Sequence, residues 1–359
     1  MKFLCKIKNG DSMKHTNNSV GRADPRNEGS LSPKGSCKNE SLNPASPEAD
    51  LCPVQEPQKR GKGCCGFIAL FVILALLVVV ALFFLKMYIR PPMARSQGRK
   101  EDNATILLAG TDESGINTDT LMLINFNSSR KQISIMSIPR DTKVNSTYRP
   151  HKINGAYSAN GQGEQGMEAL CDYVSQCVGI LPDGYVLLDL DCFVQVVDLL
   201  GGVTFDVPVS MHYDDPTQDL HIHLEPGTQH LDGKEAVGLV RFRKGYALQD
   251  LERISVQRDF ILSAMKQWLA KKDYTKLYEA FTVLRENSLT NMSASNFLWM
   301  AECVYRWGME NCQTMTIPYT IGESYVYIKE SEELLELINV YFNPYRDPVV
   351  FEDLNIAKP

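Results

Sequence analysis

The segment CCGFIALFVILALLVVVALFFL, Cys64–Leu85, runs for 22 residues without a charge. A helix rises about 1.5 Å per residue, so this run spans the ~30 Å hydrocarbon core of a bilayer. It is too long, and begins too far along the chain, for a cleaved signal peptide. A buried core helix is the ordinary alternative. The reading adopted is a single-pass cell-membrane protein: a tail over 1–63, a transmembrane helix over 64–89, a linker over 90–103 and a folded part beyond. Basic residues flank the helix on both sides, Lys59, Arg60 and Lys62 before it and Lys86, Arg90, Arg95, Arg99 and Lys100 after it. The positive-inside rule therefore does not fix the orientation. An acidic folded part most often lies outside, which puts the N-terminus in the cytoplasm and the domain on the extracytoplasmic side.

The tail is rich in Ser, Asn, Pro and Gly and nearly free of aromatic residues. Such a composition buries too little apolar surface to offset the entropy of ordering, so 1–63 reads as disordered.

Charge divides along the same line. Of 37 basic and 43 acidic residues, 16 basic and 7 acidic fall within 1–100, which leaves 21 basic and 36 acidic over 101–359. A domain with a net charge of about −15 repels a nucleic-acid backbone, so nucleic acid is not an expected partner. The arginines of RFRKGYALQDLERISVQRDF (241–260) must act locally, in a pocket. Roughly 250 residues suffice for a substantial core. Five of the ten cysteines follow the membrane segment. Cys303 and Cys312 are spaced to permit pairing across a turn; Cys171, Cys177 and Cys192 read as small core residues. The folded part has no CxxC pair, so a structural zinc site of that type is not expected.

Beyond Lys100, short apolar runs alternate with helical patterns. TILLAG (105–110), LMLINF (121–126), ISIMSIP (133–139), YVLLDL (185–190), VTFDVP (203–208) and TMTIP (314–318) read as strands. Helices are predicted over 163–180, 191–202, 231–242, 248–272, 293–308 and 331–342. The expected fold is α/β (α+β layered), a central mixed sheet flanked by helices over 104–345, with a C-terminal tail over 346–359. No GxGxxG or GxxxxGK[ST] follows the first strand, and neither GxSxG nor HExxH occurs.

Three constellations remain. The loop GTDESGINTDT (110–120) sets Asp112 and Asp119 at the mouth of a sheet, where ligand sites concentrate. Two carboxylates there suit Mg²⁺, with Mn²⁺ as an alternative; a polar turn is the plain reading. IPRDT (138–142) brings Arg140 and Asp141 to the same edge, where a surface salt bridge is the plain reading. In the third, Arg241 and Arg243 share a face if the backbone is extended. Arg253 and Gln257, four apart, share a helix face distinct from the apolar stripe of Ile254, Ile261, Met265 and Trp268. Four such donors suit one anion, because each guanidinium fork binds two phosphate oxygens. Arg258 falls off that face and is expected to be solvated. Lys152 in HKIN is a further cation. HIH (His221, His223) with Asp214 and Asp215 offers metal-ligand types, and Asp189 and Asp191 read as helix-cap or strand-end residues.

In this order and spacing, ILLAGTDESGINTDTLMLINF, ISIMSIPRDT, HKINGAY, LLDLDCFVQVVDLLGGV, LEPGTQHLDGKEAVGLVRFR and DLERISVQRDFI resemble the LytR-CpsA-Psr family of bacterial envelope proteins. The resemblance implies a Mg²⁺-dependent phosphotransferase at the membrane of a Gram-positive-type bacterium. It would move a glycopolymer of teichoic acid or capsular type from a polyprenyl pyrophosphate carrier to peptidoglycan. By resemblance Asp112 and Asp119 hold the metal, and Arg140, Arg241, Arg243, Arg253 and Gln257, with Lys152 nearby, bind pyrophosphate. Asp119, Arg140 and Arg253 are the expected catalytic residues, and a tunnel between sheet and helices takes the polyprenyl tail. Two positions depart from the family pattern, Asn117 and Val256, where arginine is frequent. Hydrolysis of the same carrier, or non-catalytic binding in envelope assembly, are the alternative functions.

Overall fold

The structure is a computed structural model that describes residues 64–88, 98–100, 103–217, 220–244 and 250–359. The expected tail over 1–63 and most of the linker over 90–103 lie outside the described residues. The apolar segment forms helix α1 (Cys64–Tyr88), and its described side chains, from Phe71 to Phe83, are all exposed. With its side chains described over 71–83 alone, α1 does not count as a span: among the described residues, no helix is long and apolar enough to cross a membrane.

The scaffold of the domain follows from its apolar runs. β1 (Asn103–Thr111), β2 (Thr118–Asn127) and β3 (Gln132–Ser137) form an antiparallel meander. After the short α2 (Ala156–Ala159) and the long α3 (Gly163–Val178), β4 (Gly184–Leu188) lies parallel to β1. Helix α4 (Leu190–Leu199) begins on Asp189, whose side chain accepts from the Cys192 amide, and is followed by Gly201 and Gly202 in left-handed conformations. A smaller β region then follows. β5 (Val203–Val207) pairs with β8 (Gly227–Leu231), and β6 (Met211–Asp215) forms a hairpin with β7 (Leu220–Leu224). Helix α5 (Gly233–Arg241) starts on a capping box between Asp232 and Glu235. Helices α6 (Asp250–Lys271) and α7 (Tyr274–Asn287) precede β9 (Leu289–Thr290), α8 (Ala294–Trp307) and β10 (Cys312–Thr316). A two-stranded ribbon, β11 (Tyr319–Ile321) and β12 (Val326–Ile328), and helix α9 (Glu332–Tyr341) complete the order.

The central sheet has six strands in the order β10-β3-β2-β1-β4-β9 and is mixed, as expected. The strands read as continuous apolar runs because both faces are buried. Period-two alternation sends Leu107, Ala109, Leu121, Leu123, Tyr185 and Leu187 to one face, against α3 and α9. Ile106, Met122, Phe126 and Val186 face the other way, toward Phe297 and Val304 of α8. A separate core joins Phe205, Met211, Ile222 and Leu231 of the small β region to Leu239 of α5 and to Val256 and Phe260 of α6.

Several expectations change. Residues 346–359 pack on the domain: Val349 and Ala357 are buried, and the Asn355 amide donates to the Gln176 carbonyl. Arg99, at the end of the expected linker, forms a buried ion pair with Asp183 and also donates to the Leu181 carbonyl. Cys303 and Cys312, spaced to permit pairing across a turn, are both free thiols. Arg258 is not solvated. Its side chain is 15% exposed and donates to Asp259 and to Thr316 of β10, because that side of α6 lies within hydrogen-bond reach of the strand's end.

Candidate active site

The β1–β2 connection is a tight turn, not a long loop. The Gly115 amide donates to the Asp112 carbonyl, and glycine suits position 115 because φ there is +67°. The cross-strand register pairs Gly110 with Thr120 but Thr111 with Thr118, so Asp119 is the extra residue of a β-bulge. A bulge re-aims one side chain out of the pleat, and here that side chain is a carboxylate at the end of the sheet.

Three arginines from three elements converge on it. Arg140, just after β3, donates from Nη1 to Asp119 Oδ2 at 2.8 Å. Arg243 Nη2 donates to the same oxygen at 2.7 Å. Arg253 of α6 lies 3.7 Å from it through Nη1 and donates from Nη2 to the Asp119 carbonyl. The Arg253 side chain is 2% exposed, against 17% for Arg140 and 41% for Arg243, so α6 supplies the cation most sheltered from water. Arg241 pairs with Glu113 at 2.8 Å, and Lys152 with Asp141 at 2.7 Å. The Gln257 amide donates to the Val240 carbonyl, which fixes the end of α5 against α6.

All eight expected site residues line one cleft of about 1120 Å³: Asp112, Asp119, Arg140, Lys152, Arg241, Arg243, Arg253 and Gln257. The helix predicted over 231–242 forms, and a strand that would have put Arg241 and Arg243 on one face does not. Arg241 is the last helical residue of α5, and the residue after it, Phe242 (φ −62°, ψ 134°), is extended. The capping box starts α5 early enough for its last turn to reach Arg241. Arg241 and Arg243 thus arrive from a helix end and the turn after it, not from one strand face. Sequence reasoning passed over Glu113, Tyr213 and Lys244, which also line the cleft. Glu113 sits inside the quoted loop. Lys244 follows the RFR motif and lies 4.1 Å from the centre of the Tyr213 ring.

Asp112 is built as an anion. Burial pushes its carboxyl up, but hydrogen bonds from Ser114 and Asn117 and from the Ile116 and Asn117 amides outweigh this and hold it below its ordinary value. The donor set fits Mg²⁺: two carboxylates, one of them held in its ionised form, line the cleft on hard oxygen atoms with room for phosphate oxygens and water. Asn117, where the family pattern often has arginine, donates from its side-chain amide to Asp112 Oδ2 at 2.8 Å. Val256 is buried in the small-region core and does not line the cleft.

A second cavity, about 250 Å³, lies against the far face of the sheet. Its walls are wholly apolar or aromatic, from Leu108, Leu188, Phe260, Met265, Phe297 and their neighbours. Helix α6 serves both cavities. Arg253 and Gln257 face the cleft, and from Phe260 onward the helix lines the apolar space.

The chain is thus a layered α/β protein whose mixed sheet ends in an arginine-rich, two-carboxylate cleft with an apolar cavity behind it. The LytR_cpsA_psr family model matches residues 88–341, and the chain belongs to this family. It is 29% identical over 244 residues to the polyisoprenyl-teichoic acid–peptidoglycan teichoic acid transferase TagU of Oceanobacillus iheyensis, covering 66% of this chain and 74% of that one. It is 27% identical over 205 residues to the corresponding transferase TagV of Bacillus subtilis, covering 56% of this chain. That match spans about half of TagV's length, 51%. The fold matches a LytR-Csp2A-Psr enzyme from Actinomyces oris with a TM-score of 0.55 at 21% identity, covering 72% of this chain and 94% of the other. It also matches the crystal structure of B. subtilis TagV with a TM-score of 0.54 at 24% identity, covering 67% and 95%.

Proposed function

We propose that this protein is a membrane-anchored phosphotransferase. It moves an anionic glycopolymer from a polyprenyl pyrophosphate carrier to peptidoglycan and leaves a phosphodiester. One observation carries the reading: a single helix, α6, lines both a cationic cleft and a wholly apolar cavity. A ligand with a pyrophosphate head and a long isoprenoid tail needs both. The names of the transferase relatives support the same substrate class.

The acceptor hydroxyl attacks the phosphorus attached to the polymer. A new oxygen–phosphorus bond forms, the bridging bond of the pyrophosphate breaks, and polyprenyl phosphate leaves. Charge gathers on the non-bridging and leaving oxygens, and Arg140, Arg243 and Arg253 are held where fixed cations lower that cost. Arg241 extends the cationic wall, and Lys152, paired with Asp141, adds a further cation. Gln257 locks α5 to α6 and so keeps Arg241 and Arg253 in register. Asp112 and Asp119 would hold Mg²⁺, which would neutralise phosphate oxygens. Asp119 also spaces the three guanidinium groups until substrate arrives. The hydroxyl proton is released to solvent as the new bond forms, and the fixed charges of the cleft carry the rest of the step.

The test is incubation of the full chain with a lipid-pyrophosphate-linked saccharide, Mg²⁺ and peptidoglycan fragments. Joined product supports transfer. Free phosphosaccharide alone would make the protein a hydrolase, and binding without turnover would make it a carrier-binding protein.

A further inference from the structure

The β6–β7 hairpin carries a second set of ligand-type side chains that the cleft does not use. Along β6, His212 and Asp214 are two residues apart; along β7, His221 and His223 are two apart. Strand alternation therefore puts each pair on one face. The register sets His212 opposite His223 and Asp214 opposite His221, so the four form a two-by-two array. Met211, Ile222 and Leu224 take the opposite, buried face. The array is on the outside of the hairpin, and Asp214, His221 and His223 do not line the cleft.

The distances are those of a site needing small rotations only. Asp214 Oδ1 lies 2.6 Å from His221 Nδ1 and 3.1 Å from His223 Nε2. One ligand atom from each of the three residues falls within 4.8 Å of the others. Ion-to-ligand distances of about 2.0–2.2 Å for imidazole nitrogen and carboxylate oxygen fit inside such a triangle. A supporting shell is present as well. His223 Nδ1 is 3.4 Å from His212 Nδ1, and His212 Nε2 is 2.9 Å from Glu225 Oε1. With His223 Nε2 given to an ion, its Nδ1–H donates to His212 Nδ1, and His212 Nε2–H donates to the Glu225 carboxylate. A ligating histidine is commonly oriented by such a chain, ending on a carboxylate.

We propose that Asp214, His221 and His223 form a binding site for a divalent transition-metal ion of the zinc class. His212 and Glu225 are its positioning residues, and water fills the fourth position. Two imidazoles favour Zn²⁺, or Cu²⁺ where it is available, over Mg²⁺, so the site is chemically distinct from the pair of aspartates in the cleft. Tyr213 and Leu220, on the same two strands, line the cleft, so an ion tying β6 to β7 fixes the spacing of that wall.

The test uses the untagged full chain, stripped with chelator and titrated with Zn²⁺ alone against a chromophoric competitor. One equivalent is expected to bind in the micromolar range, undisturbed by millimolar Mg²⁺. Co²⁺ in its place should give the visible spectrum of a low-coordinate nitrogen–oxygen site. His221→Ala with His223→Ala should abolish this equivalent. His212→Ala should weaken it by about tenfold, as expected for a supporting residue. His230→Ala is the control outside the array and should leave binding unchanged. These side chains are exposed, and circular dichroism verifies that each variant folds. No micromolar binding by the parent chain overturns the proposal, and so does an equivalent that survives in the double variant.

Discussion

Removing the charge of Asp119 should tighten pyrophosphate binding when no divalent ion is present. In the structure Arg140 and Arg243 both donate to Asp119 Oδ2, and Arg253 lies 3.7 Å from it, so the carboxylate occupies the place of a substrate anion. A phosphate on the same guanidinium groups comes within ~5 Å of the carboxylate, and at an effective dielectric of ~20 each pair of like charges costs roughly 3 kcal/mol. Released arginine contacts and salt screening offset part of this. A net gain of about 1.4 kcal/mol on Asp119→Asn corresponds to about tenfold tighter binding. The assay is calorimetric titration with inorganic pyrophosphate in excess EDTA. With Mg²⁺ restored the order should reverse, because the parent chain recovers a metal ligand that the variant lacks, and transfer by the variant should be lost. A folded Asp119→Asn protein that binds pyrophosphate in EDTA no better than the parent would refute the reasoning.

Arg140→Ala or Arg253→Ala should each lower glycopolymer transfer by about a hundredfold or more, since each withdraws a cation from the developing phosphate charge; unaffected transfer would show that the cleft is not the reaction site. Asp183→Ala should destabilise the domain by about 3–5 kcal/mol in urea unfolding, because it leaves the buried Arg99 guanidinium without its carboxylate. The folded-state pKa of Asp112 lies below its ordinary value of 3.8, so its stabilising contribution is full above that value and is lost as pH falls through the folded pKa. The difference in melting temperature between Asp112→Asn and the parent should therefore close as pH drops below 3.8. Burial pushes the thiols of Cys177 and Cys303 up to about 12 and those of Cys192 and Cys312 up to about 11, so alkylation at pH 8 should be slow in the native protein and rapid once it unfolds.

The legible parts of the fold were those where pattern and burial coincide. β1 to β4 are apolar on both faces, α3 and α4 carry helical periodicity bounded by a cap or a glycine, and α6 is long enough to be read without one. The β6–β7 hairpin was not legible, because only Met211, Ile222 and Leu224 are buried while its outer face is all histidine and aspartate. Helix α7 was missed as well; its main start signal is Asp273, which accepts from the Lys276 amide. At the site, residue type and local spacing gave separate candidate groups, which the family resemblance joined and the structure brings to one cleft. What they did not reveal is the partnership. Asp119 and Arg253 are 134 positions apart, and no local pattern says that the loop carboxylate also spaces the arginines.

The two departures from the family pattern differ in where their side chains lie. Val256 lies on the buried side of α6 with Leu239 and Phe260, so valine there contributes apolar packing to the small-region core. A guanidinium at this position would have to leave that core to reach the cleft, and the cleft already draws cations from three other elements. Asn117 is different, because its side chain lies in the cleft and addresses Asp112 directly. It exchanges a positive charge for a neutral hydrogen bond that fixes the orientation of the carboxylate. The cost falls on the reach of the cationic wall toward a polyanionic ligand, and the gain falls on the geometry of the aspartate pair. Asn117, more than Val256, is therefore the departure that changes the cleft itself.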